Sequence, residues 1–206
     1  AAVLDPKQPG CNYPYKELTG CGIGFKLAQA FAAHHNIVFS ELEKFLDLVA
    51  VSIAADIVPI TGENRVLTFY GLKKLNTNPT TGLRSIIELN ALKRELSISD
   101  VVFIIAPRIN AAGRIASGRQ AVELLISGEK DGTQEKAFGI NALNSERSEL
   151  DKSITEHALE MIDSNTLLQK RKSTVLFHET WSKGVVGIVA SRLIETYYRP
   201  TIVLAV

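Results

Sequence analysis

Apolar residues in the first half of the chain recur at helical spacing. Residues 19–31 predict a first helix, and a second predicted helix begins with a capping-box pattern at Ser40 and continues until Pro59 forbids it. The helical pattern returns over residues 66–96, where a polar turn cluster at residues 76–82 interrupts it. This half of the chain is therefore predicted to be helical.

The second half predicts one long helix and then a β-α-β unit. Residues 134–163 keep a helical period that would make a helix about 45 Å long. A coiled-coil dimer seam is the alternative interpretation, and Arg147 at a seam position disfavours it. Residues 173–178 predict a strand, residues 185–197 a helix, and the segment after Pro200 a final strand. The expected fold class is α/β.

Composition excludes several classes of protein. The 206 residues are 46% hydrophobic and 22% charged, which suits one large or two small soluble domains. A net charge of +1 gives no overall attraction to nucleic acid, so any DNA site must be a local basic groove. Cys11 and Cys21 lack zinc-site spacing and predict reduced thiols of a cytoplasmic protein. No apolar run reaches the roughly 20 residues that span a bilayer.

Residues 107–114, with the sequence Pro-Arg-Ile-Asn-Ala-Ala-Gly-Arg, concentrate groups that bind anions. Arg108 and Arg114 carry planar guanidinium groups, and Asn110 adds an amide. Gly113 predicts a turn where the backbone can approach a ligand closely. Structural ion pairs with carboxylates would explain both arginines equally well, so the two interpretations stay open on the residues alone.

Two other places carry candidate chemistry. Asp56 lies among apolar neighbours, where an unpaired carboxylate is costly and needs a partner. Manganese or magnesium would be such a partner, and a Lys or Arg pair or a helix-terminal role is the alternative. Gly184 and Gly187, at the start of the last predicted helix, leave N–H groups open to an anion, whereas close helix packing would also explain them.

These segments together resemble the RecJ-type exonucleases of the DHH phosphoesterase superfamily. Residues 107–114 resemble the family's PRxNAAGR signature, residues 47–59 its fourth metal-site motif, and residues 184–193 the motif of its DHH-associated domain. The order and spacing agree over nearly the whole chain. The family's Asp-x-Asp and Asp-His-His motifs, which supply most metal ligands, are not among these residues. We therefore interpret the chain as a fragment.

The resemblance implies a three-part organisation and an activity. Residues 1–133 would be the end of a DHH domain with its following helical region, residues 134–165 a connecting helix, and residues 166–206 the start of a DHH-associated domain. The implied activity is 5′-to-3′ hydrolysis of phosphodiester bonds in single-stranded DNA during repair and recombination, with this fragment inactive alone. The alternatives are a DHH phosphodiesterase for short oligonucleotides or cyclic dinucleotides, and a non-catalytic nucleic-acid-binding scaffold.

The resemblance also implies site residues and partners. Asp56 would be a catalytic ligand of manganese or magnesium, and Trp181 could stack on a base. The implied phosphate-binding residues are Arg108, Asn110, Arg114, Gly184, Gly187, Ser191 and Arg192. Where the family commonly has histidine after the tryptophan, this chain has Ser182. The implied partners of this monomer are single-stranded DNA, a single-strand-binding protein and a RecQ-type helicase, with no membrane.

Overall fold

The computed structural model describes residues 3–128 and 132–206, which form a mostly helical structure with one small parallel sheet. The helices are α1 (Gly20–His34), α2 (Ser40–Glu43), α3 (Leu46–Ala55), α4 (Gly62–Thr77), α5 (Thr81–Leu89), α6 (Ile98–Asp100), α7 (Ala106–Ile115), α8 (Gly118–Leu125), α9 (Thr133–Asp163), α10 (Thr166–Lys170) and α11 (Val186–Tyr197). A π-helical segment, Val101–Ile105, joins α6 to α7. The strands are β1 (Thr174–Phe177) and β2 (Thr201–Leu204).

The predicted long helix and β-α-β unit are confirmed. Helix α9 has 31 residues and begins within one residue of the predicted start. Strands β1 and β2 pair in parallel, with Thr174 opposite Thr201, and α11 connects them. The expected α/β class therefore holds, although the sheet has only these two strands in the described part of the chain.

Two local predictions are wrong. The helix predicted to run unbroken from Ser40 is interrupted at Lys44 and Phe45, and Phe39 rather than Ser40 takes the N-cap position without a side-chain bond. The glycine turn predicted at Gly113 is instead a position inside α7. Helix α7 continues through this glycine because three of its alanines are buried against the core, which stabilises the helix by tertiary packing.

The apolar side chains form three clusters, and α9 takes part in two of them. The first cluster lies among α3 to α9 and includes Ile140, whereas the second packs the later part of α9, including Ile154, against the β-α-β unit. The third joins α1, α2 and α3 around Phe25. Helix α9 therefore holds the helical part and the β-α-β unit together. Across the described ranges, no helix is long and apolar enough to cross a membrane.

Candidate nucleic-acid interface

Asp56 lies at the C-terminal end of α3, where its side chain is exposed. It occupies the C-cap position, and the Ser52 hydroxyl donates to its Oδ2 at 3.5 Å. No Lys or Arg in residues 3–128 or 132–206 forms a salt bridge with it. Burial and then the negative charge of Asp56 raise the pKa of the neighbouring Cys21 thiol. The expectation of an apolar environment for Asp56 is wrong, because the residue points outward after the last turn of the helix.

Asp47, nine positions earlier on the same helix, is completely buried. Its Oδ2 accepts from the backbone N–H of Thr80 at 2.6 Å and lies 3.4 Å from Lys74 Nζ. Its Oδ1 accepts from the N–H of Leu48 at 2.9 Å. These partners compensate the buried charge, so Asp47 serves the fold. The two aspartates of the motif-like segment 47–59 therefore differ in environment, and Asp56 is the one available to a ligand.

The residue after Asp56 is held in an unfavourable backbone conformation. Ile57 has a φ of 53°, and its side chain is 81% exposed. A β-branched side chain in the left-handed region is costly, and such strain is concentrated at functional sites. The end of α3 therefore has an exposed carboxylate at Asp56 and a strained backbone at Ile57.

Replacing Ile57 with asparagine is expected to stabilise the fold by about 1 kcal/mol, because asparagine tolerates the left-handed conformation that costs other residues roughly 1–2 kcal/mol. Little buried area is lost, since Ile57 is exposed. Urea unfolding would measure the change. Tyr198→Asn is the matched control, because Tyr198 has a φ of 50° and is 89% exposed at the end of α11. A loss of stability at Ile57 alongside a gain at Tyr198 would refute the strain argument.

Neither arginine of the 107–114 segment forms a carboxylate ion pair within the described residues. Arg108 donates from Nε to Asn141 Oδ1 at 3.0 Å and from Nη1 to the carbonyl oxygen of Ile104 at 2.6 Å. Burial lowers the pKa of the Arg108 guanidinium. Arg114 is exposed and donates from Nη1 to the Gly184 carbonyl oxygen at 3.1 Å. Within residues 3–128 and 132–206, both guanidinium groups therefore bond to neutral oxygen acceptors rather than to the carboxylates of the ion-pair interpretation.

Gly184 is where α7 meets the start of α11. A Cβ on Gly184 would overlap the carbonyl oxygen of Arg114, so this glycine permits a close approach between two backbones. Its N–H donates to Ser182 Oγ at 3.3 Å, so the expectation that this N–H is open to an anion is wrong and close packing explains the glycine. The carbonyl oxygen of Ser182 also accepts from the N–H groups of Val185 and Val186, so Ser182 organises the turn into α11.

Three other predicted phosphate-binding residues lie further along α11. A Cβ on Gly187 would meet no neighbouring atom within 4 Å, so this position is open. The Ser191 hydroxyl donates to the Gly187 carbonyl oxygen at 3.1 Å. Arg192 Nη2 donates to Asp151 Oδ2 at 2.6 Å, and the Arg192 side chain remains 53% exposed. Arg192 is thereby oriented by α9 while keeping other N–H groups accessible.

Trp181 is not available for base stacking. It is 4% exposed within the second core cluster, and its indole N–H donates to His157 Nδ1 at 3.3 Å. The rings of His157 and His178 are both in contact with it. The stacking expectation is wrong because the tryptophan fixes the loop after β1 against α9.

A cleft forms where the end of α3, α7, α9 and the start of α11 converge. Its volume is about 190 Å³. The residues that line it are Ala54, Ala55, Ile57, Val102, Ala106, Pro107, Asn110, Arg114, Arg147 and Ile188. The cleft therefore brings the chain around Asp56 together with Asn110 and Arg114, whereas Arg108, Ser191 and Arg192 are not among its lining residues. The site residues predicted from the sequence did not include Arg147. Its sequence pattern offered one indication, a charged residue at an apolar position of the predicted long helix.

Larger cavities of the described residues, with volumes of about 560, 570 and 610 Å³, each include Asp or Glu in their lining, even the one lined by Arg84, Lys93 and Arg94. One of about 610 Å³ lies between the N-terminal segment and α1, lined mainly by apolar residues such as Val3 and Leu27. Its cation, Lys26, forms a salt bridge with Glu63 at 3.0 Å. Cavity size alone does not identify the anion-binding site. The smaller cleft is the better candidate, because no Asp or Glu lines it and its guanidinium groups have no carboxylate partner among the described residues.

The described residues do not form a complete metal site. Among them, no group of three or more His, Cys, Asp or Glu side chains is placed to hold a metal ion. The exposed carboxylate of Asp56 nevertheless has oxygen lone pairs free for a divalent cation, which prefers hard oxygen ligands. Asp56 therefore fits one position in a ligand set, and further ligands would have to join it.

Comparisons with known proteins agree on one family. The single-stranded-DNA-specific exonuclease RecJ of Bacillus subtilis (strain 168) is 41% identical over 207 residues, which cover 100% of this chain and 25% of that protein. The protein of the same description from Escherichia coli (strain K12) is 32% identical over 220 residues, covering 99% of this chain and 38% of that protein. The chain thus spans well under half the length of these relatives. No protein-family model matches it.

Solved structures show the same relationship. The crystal structure of RecJ in complex with Mg²⁺ from Thermus thermophilus has a TM-score of 0.82 and 31% identity, covering 94% of this chain and 30% of that one. The crystal structure of exonuclease RecJ bound to manganese has a TM-score of 0.83 and 30% identity, covering 96% of this chain and 49% of that one. On this shared sequence and fold, the chain belongs to the RecJ family.

Proposed function

We propose that this chain is the strand-holding part of a 5′-to-3′ exonuclease that hydrolyses phosphodiester bonds of single-stranded DNA in repair and recombination. The cleft between α3, α7, α9 and α11 is the observation that carries the proposal. It combines guanidinium and amide donors with an adjacent exposed carboxylate, and the guanidinium groups have no carboxylate partners in the described ranges. Such donors suit the phosphate oxygens of a nucleic-acid backbone.

Arg114 and Asn110 would hold a phosphate at the cleft. Arg108, oriented by its bond to Asn141, would contact a neighbouring phosphate from the other side of α7. The first-turn N–H groups of a helix lack intrahelical partners and favour an anion, which supports a role for Gly187 in the first turn of α11. Gly184 precedes this helix, and in our proposal it contributes by letting the backbone of Arg114 approach the start of α11 closely. We assign Ser191 and Arg192 to the same strand end, because they follow on the same helix.

Asp56 would supply one ligand to manganese or magnesium, the two ions named in the structures of its relatives. A bound divalent cation supplies the activation of water and the stabilisation of the leaving oxygen in phosphodiester hydrolysis. In our proposal the remaining ligands come from segments equivalent to the family's Asp-x-Asp and Asp-His-His motifs. The contribution of this chain is to hold the phosphate beside Asp56.

The proposal extends to organisation and partners. Residues 1–133 and 166–206 would belong to the DHH and DHH-associated domains, with residues 134–165 as the connecting helix, since α9 packs into two separate core clusters. The full protein would act as a cytoplasmic monomer together with a single-strand-binding protein and a RecQ-type helicase.

Arg114→Ala is expected to weaken single-stranded DNA binding and to reduce the slope of log K against log salt concentration by about 0.7, the value of one phosphate contact on a single strand. Fluorescence anisotropy over a salt series would measure both. Arg119→Ala is the control, because Arg119 is 84% exposed, pairs with Glu123 and does not line the cleft. An unchanged slope for the Arg114 variant would remove this residue from the strand-binding set.

The function itself is tested with the 206-residue chain and 5′-phosphorylated, 3′-labelled single-stranded DNA in manganese. We expect the chain to bind this strand, and we expect duplex DNA and a cyclic dinucleotide to be weak competitors. We expect no shortening of the strand. Failure to prefer single-stranded DNA would contradict the proposed substrate. Metal-dependent shortening would show that the chain holds a complete active site, which contradicts our account of the missing ligands.

A further inference from the structure

Arg147 lies near the middle of α9, between the two core clusters. Leu143 packs against the first cluster, and Leu150 packs against the second. Arg147 lies between them and lines the cleft opposite Asn110 and Arg114. A charged residue thus occupies the position where α9 passes from one apolar cluster to the other.

The Arg147 guanidinium is poorly satisfied by the protein. Its Nε is buried and has no hydrogen-bond acceptor among the described residues. Within residues 3–128 and 132–206, the one hydrogen bond of the group runs from Nη2 to Asn144 Oδ1 at 3.5 Å, the outer limit of a hydrogen bond. No carboxylate of the described ranges lies within salt-bridge distance of it. An unpaired buried donor on a permanent cation is costly, so its presence calls for an anionic partner.

Two other arginines of the fold form close ion pairs, and a third bonds to neutral oxygen atoms. Arg94 pairs with Asp100 at 2.6 Å and Arg192 with Asp151 at 2.6 Å. Arg199 donates to Thr174 Oγ1 and to two backbone carbonyl oxygens. Arg199 Nη2 is likewise buried without an acceptor among the described residues, but Arg199 does not line the cleft. Arg147 combines a position in the lining of the cleft with a buried Nε that has no acceptor in the described ranges.

The cleft itself selects an anion. Its polar lining residues are Asn110, Arg114 and Arg147, and no Asp or Glu contributes to its walls in the described part of the chain. The remaining walls are apolar and lower the local dielectric, which strengthens the attraction between a guanidinium and a phosphate. A volume of about 190 Å³ admits a phosphate with its attached sugar but not a base-paired duplex.

We propose that Arg147 is a further phosphate-binding residue, which clamps one phosphate of the ligand against Arg114 and Asn110 across the cleft. This inference rests on the proposed function for the identity of the ligand as single-stranded DNA. The chemistry alone would equally admit a mononucleotide or inorganic phosphate. Because α9 also supports the β-α-β unit, the clamp ties the position of that unit to the bound phosphate.

Arg147→Met tests the proposal, because methionine keeps an apolar stem of similar length and removes the unsatisfied donors. We expect affinity for a labelled oligothymidylate to fall about tenfold or more and the salt slope to lose about 0.7. The midpoint of thermal unfolding should stay the same or rise, whereas a structural ion pair would make it fall. Arg147→Lys should keep the salt slope but bind more weakly, since lysine lacks the guanidinium fork. Arg119→Met is the matched control.

NMR spectra of the Arg Nε–H groups in the wild-type chain identify the ligand. They would be recorded separately with the oligonucleotide, with thymidine monophosphate and with inorganic phosphate. If the oligonucleotide binds and the Arg147→Met slope is unchanged, the Arg147 proposal fails while the proposed function stands. If phosphate shifts the Arg147 resonance but no oligonucleotide binds, the anion clamp is supported and the proposed function fails. If none of the three ligands shifts that resonance, the clamp is overturned.

Discussion

Gly184→Ala is expected to destabilise the fold by about 3 kcal/mol, the upper end of the usual cost of overpacking. The added Cβ would overlap the Arg114 carbonyl oxygen, which is backbone and cannot rotate away as a side chain could. Relief therefore requires α7 and the start of α11 to separate. That movement would also break the bond from Arg114 Nη1 to the Gly184 carbonyl oxygen.

Urea unfolding and amide hydrogen exchange would measure this effect. Exchange should accelerate in β1, α11 and the later part of α9, which share the second core cluster, more than in the first cluster. Gly187→Ala is the stability control, because its Cβ would meet nothing within 4 Å and alanine favours a helix by up to about 1 kcal/mol over glycine. Equal stability changes at the two glycines would contradict the contact.

Local periodicity was enough to predict the elements with the strongest patterns. Helix α9 keeps its period for 31 residues, and the β-α-β unit is bounded by polar residues and Pro200. The break between α2 and α3 was not predictable in this way, since Lys44 and Phe45 contain neither of the usual helix breakers. The turn predicted at Gly113 is wrong because tertiary packing can hold a glycine inside a helix despite its low helix propensity.

The arrangement of the site depended on contacts between distant residues. Nothing local to Gly184 indicates that it meets Arg114, from which it is separated by 70 positions. The exposure of Asp56 was equally hidden, because its apolar sequence neighbours do not reveal that the side chain points outward at a helix end. Arg147 did leave a local signal, a charge in an apolar stripe, but its meaning required the cleft around it.

Asp56→Ala is expected to abolish manganese-dependent cleavage in a protein that carries this chain together with the Asp-x-Asp and Asp-His-His motifs. The same change should leave stability unaltered or raise it slightly, because Asp56 is exposed and has no cationic partner in the described ranges. A carboxylate at the C-terminal end of a helix is also unfavourable to the helix dipole, by about 0.3–1 kcal/mol. Removing this functional residue is therefore expected not to lower the free energy of unfolding.

Asp47→Ala provides the opposite case on the same helix. Removing this buried carboxylate leaves Lys74 and the Thr80 N–H without their acceptor, and breaking a buried ion pair costs roughly 3–5 kcal/mol. Measuring cleavage and urea unfolding for both variants separates the two roles. Near-normal cleavage by the Asp56 variant would exclude it as a metal ligand. If Asp56→Ala destabilised the protein as much as Asp47→Ala, its loss of activity would reflect unfolding rather than a missing ligand.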